Sequence, residues 1–305
     1  MKKYDVIIID GNNFFFKSFA IQNKLSIMAN NEELFTGATF GLIQSILAAK
    51  RDYATKDAPV YCVWDSGHIR RAEIYPEYKN NRDKSEWPEY ENFKTQMKMT
   101  KYVLSFLGVY QAVKYGEEAD DLVGTFSKLF SNENKKVLLM SADKDFQQLI
   151  TENVDLLAHK GSKNIKLWNE DSWEKDRGYN PSQFSLFLAL NGDVGDNIPG
   201  IKGIGEVAAN NFIINHSALL YAILDERDIS PFIPVKQNAI MKKLISKEGQ
   251  DMFRLSFKLA IIDRDVKNIK IRKNKDLKKL EEIFEKLQFD SFLPGTKSWK
   301  IIEIL

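Results

Sequence analysis

Three short apolar runs constrain this chain most: Val6-Ile7-Ile8-Ile9, Val60-Tyr61-Cys62-Val63-Trp64 and Val137-Leu138-Leu139-Met140, closed by Asp10, Asp65 and Asp143. Runs of this length, apolar throughout and separated by helical patterns, predict parallel strands covered on both faces. Strands are expected at 4–9, 60–64, 109–113, 137–141 and 154–158, with amphipathic stretches such as Gly41 to Lys50 and Leu122 to Phe130 between them. The fold class this predicts is α/β, a central mostly parallel sheet flanked by helices. In such sheets ligands bind outside the carboxyl ends of the strands, so three carboxylates converge on one rim. Glu118, Asp120 and Asp121 open a helical pattern, Asp145 follows Asp143 by two, and Asp193 and Asp196 form a later pair. Nine acids at one edge would repel one another by several kcal/mol without countercharge, which implies divalent cations.

At 305 residues the chain is long enough for one or two domains at roughly 150 residues each. A net charge of +2 decides nothing about partners, because a basic track and an acidic site can cancel. Cys62 is the only cysteine, which excludes an internal disulfide and reads as a buried strand residue. No apolar stretch approaches the roughly 18 residues that span a bilayer, and the strand pattern begins too early for a signal peptide. A cytoplasmic protein without a membrane partner is expected. The division expected is an α/β domain over 1–180, with an insertion at about 80–106, and a helical region over 181–305. The insertion mixes Lys84, Lys94, Lys98 and Lys101 with Trp87, Tyr90, Phe93 and Tyr102.

Acids favour helix N-termini, which accounts for one or two of Glu118, Asp120 and Asp121 but not for their coincidence with three strand ends. The segment Gly192-Asp193-Val194-Gly195-Asp196-Asn197-Ile198-Pro199-Gly200-Ile201-Lys202-Gly203-Ile204-Gly205 is the second strong signal. Gly200, Gly203 and Gly205 permit a tight turn between helices, at about 198–213, that can aim amides at a DNA phosphate and carbonyls at a monovalent cation. His68, His159 and His216 have no ligand spacing and read as ordinary histidines. Phe14, Phe15 and Phe16 read mostly as core. Arg264 to Lys286 holds nine basic and five acidic residues, either a duplex contact or a solvated amphipathic helix.

Together, Asp10-Gly11-Asn12, Tyr78-Lys79-x-x-Arg82, Glu118-Ala119-Asp120-Asp121, Ala142-Asp143-Lys144-Asp145 and the 192–205 segment resemble the 5′-nuclease family. That family comprises the 5′ to 3′ exonuclease domain of bacterial DNA polymerase I, phage 5′ exonucleases and flap endonucleases. The resemblance spans about the first 215 residues, and the chain's length makes it most similar to the free-standing enzymes. It implies a metal cluster from Asp10, Asp65, Glu118 and Asp120, and a second from Asp121, Asp143, Asp145, Asp193 and Asp196. The ions would be Mg²⁺, with Mn²⁺ as a substitute and K⁺ at the helix-hairpin-helix turn. Tyr78, Lys79 and Arg82 would meet the scissile phosphate at the base of a helical arch, with Arg71, Lys84, Gly200, Lys202, Gly203 and Gly205 as DNA contacts. A basic residue that some relatives carry before the Gly-Asp pair is Leu188 here. The implied partner is DNA with a free 5′ end or flap, with RNA–DNA hybrids as a further substrate. The protein would act as a monomer alongside replication proteins in the bacterial or, if phage-encoded, the host cytoplasm. Two other readings stay open at this point: a small PIN-type ribonuclease, and a catalytically inactive module that binds branched DNA.

Overall fold

The computed structural model describes residues 3–22, 24–29, 31–82, 87–160 and 164–305. Its strands are β1 (Val6–Asp10), a short pair β2 (Ser26–Ala29) and β3 (Glu32–Phe35), β4 (Val60–Trp64), β5 (Tyr110–Val113), β6 (Val137–Ser141), β7 (Val154–Lys160), β8 (Asn164–Trp168) and β9 (Lys270–Arg272). Seven form one sheet in the order β8-β7-β6-β1-β4-β5-β9. The five central strands run parallel, whereas β8 and β9 close the two edges antiparallel. The helices are α1 (Gly11–Gln22), α2 (Gly37–Tyr53), α3 (Ile69–Ile74), α4 (Tyr90–Leu104), α5 (Ala119–Asn132), α6 (Glu170–Arg177), α7 (Phe184–Asn191), α8 (Glu206–Leu224), α9 (Ala239–Ile245), α10 (Lys247–Ala260), α11 (Leu277–Lys286) and α12 (Lys297–Ile302).

The period of two along β1 divides the core. Val6 and Ile8 face one cluster with residues of α5, α7, α8 and α10, and Ile7 and Ile9 face another with residues of α1, α2, α4, α11 and α12. All four side chains are fully buried, each worth about 1.5–3 kcal/mol against exposure. This two-sided burial is why the strands read as unbroken apolar runs.

Three features depart from the sequence reading. The 80–106 insertion is, over 90–104, a layer helix: Gln96, Thr100, Val103 and Leu104 of α4 are buried. The Gln96 side-chain oxygen accepts the Ala38 N–H at 2.8 Å at the start of α2. Trp87 and Phe93 pack on Phe19 and Phe15 of α1, with ring centres 5.5 and 5.1 Å apart. Second, the 181–305 region does not stay together, because Leu280, Ile283 and Phe284 need an apolar surface and find it beside α2. There Phe292 stacks on Phe40 at 4.7 Å. The 264–286 stretch is accordingly not one helix: β9 occupies 270–272, and only α11 is helical. Third, α8, at 19 residues, is long and apolar enough by composition to cross a membrane. Its Ala209, Phe212, Ile213, Leu219 and Leu220 instead bury against α7 and α10.

Candidate active site

Asp10 ends β1, Asp65 follows β4 and Asp143 lies just past β6, at the same end of three adjacent strands. Glu118 precedes α5 and Asp120 is in its first turn. Asp145 sits in the turn after Asp143, and Asp193 and Asp196 lie in the loop after α7. Short polar side chains fix this rim to the backbone, as Asn and Asp do where helices and turns begin. Asp10 accepts the Asn13 N–H at 3.0 Å and the Ser141 hydroxyl at 2.9 Å. Asp65 accepts the Ala119 N–H at 2.7 Å, while its own N–H donates to the Asn12 side chain at 3.1 Å. Asn13 also accepts the Ala142 N–H at 3.0 Å. These links tie β1, β4, α5 and β6 together beneath the acids.

The carboxylates act on one another. Burial, with the charges of Asp65 and Asp143, raises Asp10 to about 7 despite its two hydrogen bonds. Burial and then Asp143, Glu118 and Asp10 raise Asp120 well above the carboxylate range, with Lys79 opposing. Burial and then Asp143, Asp196 and Asp193 do the same to Asp145. Asp143 is raised by burial and by Asp196 and Asp193, although it accepts the Asp145 N–H. The rim therefore holds more negative charge than the protein alone neutralises.

Cations from one turn offset part of that charge. Lys79 pairs with Glu118 and lies 3.4 Å from Asp196. Burial opposes its charge, but Glu118, Asp196 and Asp120 outweigh burial and raise its pKa. Arg82 pairs with Asp196 and donates to the Gly195 carbonyl at 3.0 Å. The Tyr78 hydroxyl donates to Glu118 at 3.1 Å and to Asp196 at 3.2 Å. These three residues occupy a turn rather than a helix face. Lys79 is held there at φ +56°, its N–H bonded to the Asp196 carbonyl at 3.0 Å. A left-handed lysine costs about 1 kcal/mol or more and persists where its surroundings require it. Lys144, which sequence reasoning passed over as a turn residue, pairs with Asp193 at 2.8 Å and helps keep it ionised.

Asp121 and Arg71 pair with each other beneath the rim. Asp121 is fully buried, and its oxygens accept from Arg71 at 2.7 and 2.8 Å, Arg70 at 3.1 Å and the Asp263 N–H at 2.8 Å. Those bonds engage both of its oxygens. Burial would raise its pKa, but these partners lower it. Arg71 is itself buried and also donates to Glu118 at 2.7 Å and to the Leu259 and Ile261 carbonyls at 2.9 and 3.0 Å. It ties α3 to α5 and the end of α10 with 3% of its surface exposed. Successive helix residues point about 100° apart, so Asp120 and Asp121 leave α5 in different directions.

In the glycine-rich loop, Ile201 and Ile204 are buried while Lys202, Gly203 and Gly205 are exposed. A side chain at Gly200 would meet the backbone of Gly192 at 2.5 Å, so that glycine closes the loop on itself. Gly203 is left-handed at φ +93°, with open space around it. Leu188 is fully buried, consistent with the absence of a phosphate contact there. Lys84 lies outside the described residues, as does the side chain of His159. His68 and His216 pack edge or tilted against Tyr78 and Phe212, and burial pushes the Cys62 thiol up.

The donor set suits hard divalent cations, which take carboxylate oxygens. One Asp145 oxygen is buried without a hydrogen-bond partner, and among the described residues no hydrogen bond is made by the partly exposed Asp120 side chain. The buried Asp145 oxygen is costly in a dry protein and would be satisfied by a cation. Among the described residues no three potential ligands stand close enough to cage a metal as they are, and Lys79 lies between Glu118 and Asp196. The fold and site thus define an acid-rimmed α/β protein with a lysine and a tyrosine inserted among its carboxylates.

Comparison with known proteins gives the family. Residues 5–178 match the model described as 5′-3′ exonuclease, N-terminal resolvase-like domain, and residues 179–287 match 5′-3′ exonuclease, C-terminal SAM fold. The 5′-3′ exonuclease of Buchnera aphidicola subsp. Schizaphis graminum is 33% identical over 270 residues, covering 87% of this chain and 88% of that protein. DNA polymerase I of Mycobacterium tuberculosis is 34% identical over 223 residues, 71% of this chain; the match spans only 24% of the polymerase. The bacteriophage T5 flap endonuclease, in a pseudo-enzyme–product complex with DNA and metal ions, superposes with TM-score 0.61 and 21% identity over 98% of both chains. The chain belongs to the 5′-3′ exonuclease family.

Proposed function

We propose that this chain is a divalent-metal-dependent nuclease that hydrolyses phosphodiester bonds in DNA at free 5′ ends and flap junctions. The observation that carries the reading is a rim of mutually repelling carboxylates with Lys79 and Tyr78 inserted among them. Asp10, Asp65, Glu118, Asp120, Asp143, Asp145, Asp193 and Asp196 would hold the ions, Mg²⁺ or in its place Mn²⁺. When bound, such ions activate the attacking water and neutralise charge on the phosphate. Lys79, already oriented by Glu118 and Asp196, would place a cation at the reacting phosphate, where stabilisation is greatest as charge develops. Arg82 would orient the same group from the rim. Tyr78 donates to both Glu118 and Asp196 and keeps their oxygens facing the rim.

The exposed turn at Gly203 and Gly205 would hold duplex DNA by its backbone, which positions without reading sequence, with K⁺ at its carbonyls. The division of labour follows: residues 1–180, joined by Asp193 and Asp196, carry the chemistry, and the turn within 198–213 carries the duplex. Primer or flap removal in the cytoplasm, RNA–DNA hybrids included, is the role that fits these parts.

The test is cleavage of a 5′-flap oligonucleotide in Mg²⁺, with chelator as control, by wild type and by Asp120→Ala. Loss of a raised, unbonded carboxylate should abolish cleavage while flap binding in Ca²⁺ and the circular dichroism spectrum persist. Cleavage by the variant within tenfold of wild type would sink the assignment, and wild-type binding without cleavage would favour the inactive DNA-binding module.

A further inference from the structure

At the β9 edge of the sheet a cavity of about 800 Å³ opens between β5, β9 and the last turns of α4. Trp64, Lys101, Tyr102, Lys270, Arg272 and Lys273 are among its lining residues, and no carboxylate is. Among the described residues none of the four cations is engaged in an ion pair. The register explains the clustering. Lys270 pairs with Val113 and Arg272 with Gln111, while Val113 pairs with Trp64 and Gln111 with Cys62. Alternate residues on neighbouring strands share a face, so Lys270 and Arg272 stand on the Trp64 side of the sheet. All three residues of β9 are exposed, so the charges are not there to complete a core.

The aromatic floor is held in place. The Trp64 indole N–H donates to the Gln111 side chain at 3.1 Å, and the Gln111 amide donates to the Lys101 carbonyl at 3.1 Å. The Lys101 ammonium lies 4.5 Å from the centre of the Trp64 ring. Burial lowers the Lys101 pKa, while Asp65 is among the charges that oppose the shift. Tyr102 leaves 52% of its surface exposed. Trp64 itself keeps only 2% of its surface, so the aromatic face open to a ligand is that of Tyr102.

We infer that this cavity binds the single-stranded 5′ arm of the DNA substrate, its phosphates on Lys101, Lys270 and Arg272 and a base on Tyr102. Cations interleaved with an exposed aromatic face are the chemistry that holds single strands without regard to sequence. The identity of the arm rests on the nuclease reading; the binding itself does not.

The experiment compares wild type with Lys101→Met/Lys270→Gln/Arg272→Gln and with Tyr102→Ala, none of them a residue of the carboxylate rim. Affinity is read by fluorescence anisotropy in chelator for a single-stranded oligonucleotide, a duplex with a long 5′ arm, and the same duplex without it. The triple variant should lose about tenfold or more for the first two and little for the third. Its log affinity against log salt should flatten by about two, at roughly 0.7 per single-strand phosphate. Tyr102→Ala should lose affinity for the same two ligands without changing that slope. Equal losses with and without the arm would overturn the proposal in favour of a duplex track, and unchanged affinity in folded variants would overturn it outright. Wild type that binds the arm through these residues yet cuts nothing in Mg²⁺ would support the cavity and remove the nuclease reading.

Discussion

Arg71→Ala is expected to cost about 3–5 kcal/mol of folding stability, the usual cost of stripping one partner from a buried ion pair. Arg71 keeps only 3% of its surface and Asp121 none. The guanidinium makes two bonds to Asp121, one to Glu118 and two to the Leu259 and Ile261 carbonyls. Truncation leaves a carboxylate in the dry interior with only Arg70 and the Asp263 N–H as partners, together with two orphaned carbonyls. Water entering the space left by the side chain offsets part of this, which keeps the expected loss near the range for a single pair. Arg71→Lys should lose about half as much, because it retains the charge but not the planar fork. Urea melts at neutral pH give the differences, and a double-mutant cycle with Asp121→Asn isolates the pair at about 2 kcal/mol or more. A loss under about 1 kcal/mol, with the m-value unchanged and DNA affinity weakened in a salt-dependent way, would return Arg71 to the phosphate track.

Lys79→Ala should lower the single-turnover cleavage rate by about a hundredfold or more while affinity changes little, since its cation matters most as charge develops; a change in affinity alone would make it a binding residue. Gly205→Val is a cleaner probe of the turn than Gly203→Val. Gly205 is at φ −97° in open space and tolerates a side chain in the free protein, whereas Gly203 at φ +93° would be strained by one. Gly205→Val should therefore retain stability yet weaken duplex binding and flatten its salt slope by about one per lost contact; matching wild-type binding would make the loop purely structural. In chelator, Asp10→Asn should abolish one pH dependence of stability. The wild-type group is raised from 3.8 to about 7, so its contribution is fully present below the lower value and is lost as pH rises through the upper one. That gap is worth at most roughly 4 kcal/mol. Urea midpoints of both proteins from pH 4 to 8 should diverge across this window, and a constant difference would contradict the buried setting of Asp10.

The five parallel strands were legible because burial on both faces writes itself into a short run as continuous apolar composition. Each rim aspartate was legible because a charge cannot stay inside such a run and so marks its end. By itself the sequence determined that these acids meet at one edge. β8 and β9 were not legible: they lie at edges, where one neighbour supplies the backbone bonds and exposed side chains carry no period. Trp87 and Phe93 read as part of a charged insertion until α1 supplied the rings they pack on.

What tertiary structure alone decided is how adjacent acids divide their work. Asp120 and Asp121 are equivalent as letters at the start of α5, and only the placement of α3 sets Arg71 against one and leaves the other with the rim. Lys79 likewise becomes a partner of Glu118, and Lys144 of Asp193, through loops far apart in the chain. The return of β9 to the β5 edge sets Lys270 and Arg272 on the Trp64 face. Side-chain chemistry and period are local and survive in one dimension. The partner that decides whether a buried charge is neutralised, and hence what it can bind, is supplied by distant chain, and no local pattern encodes it.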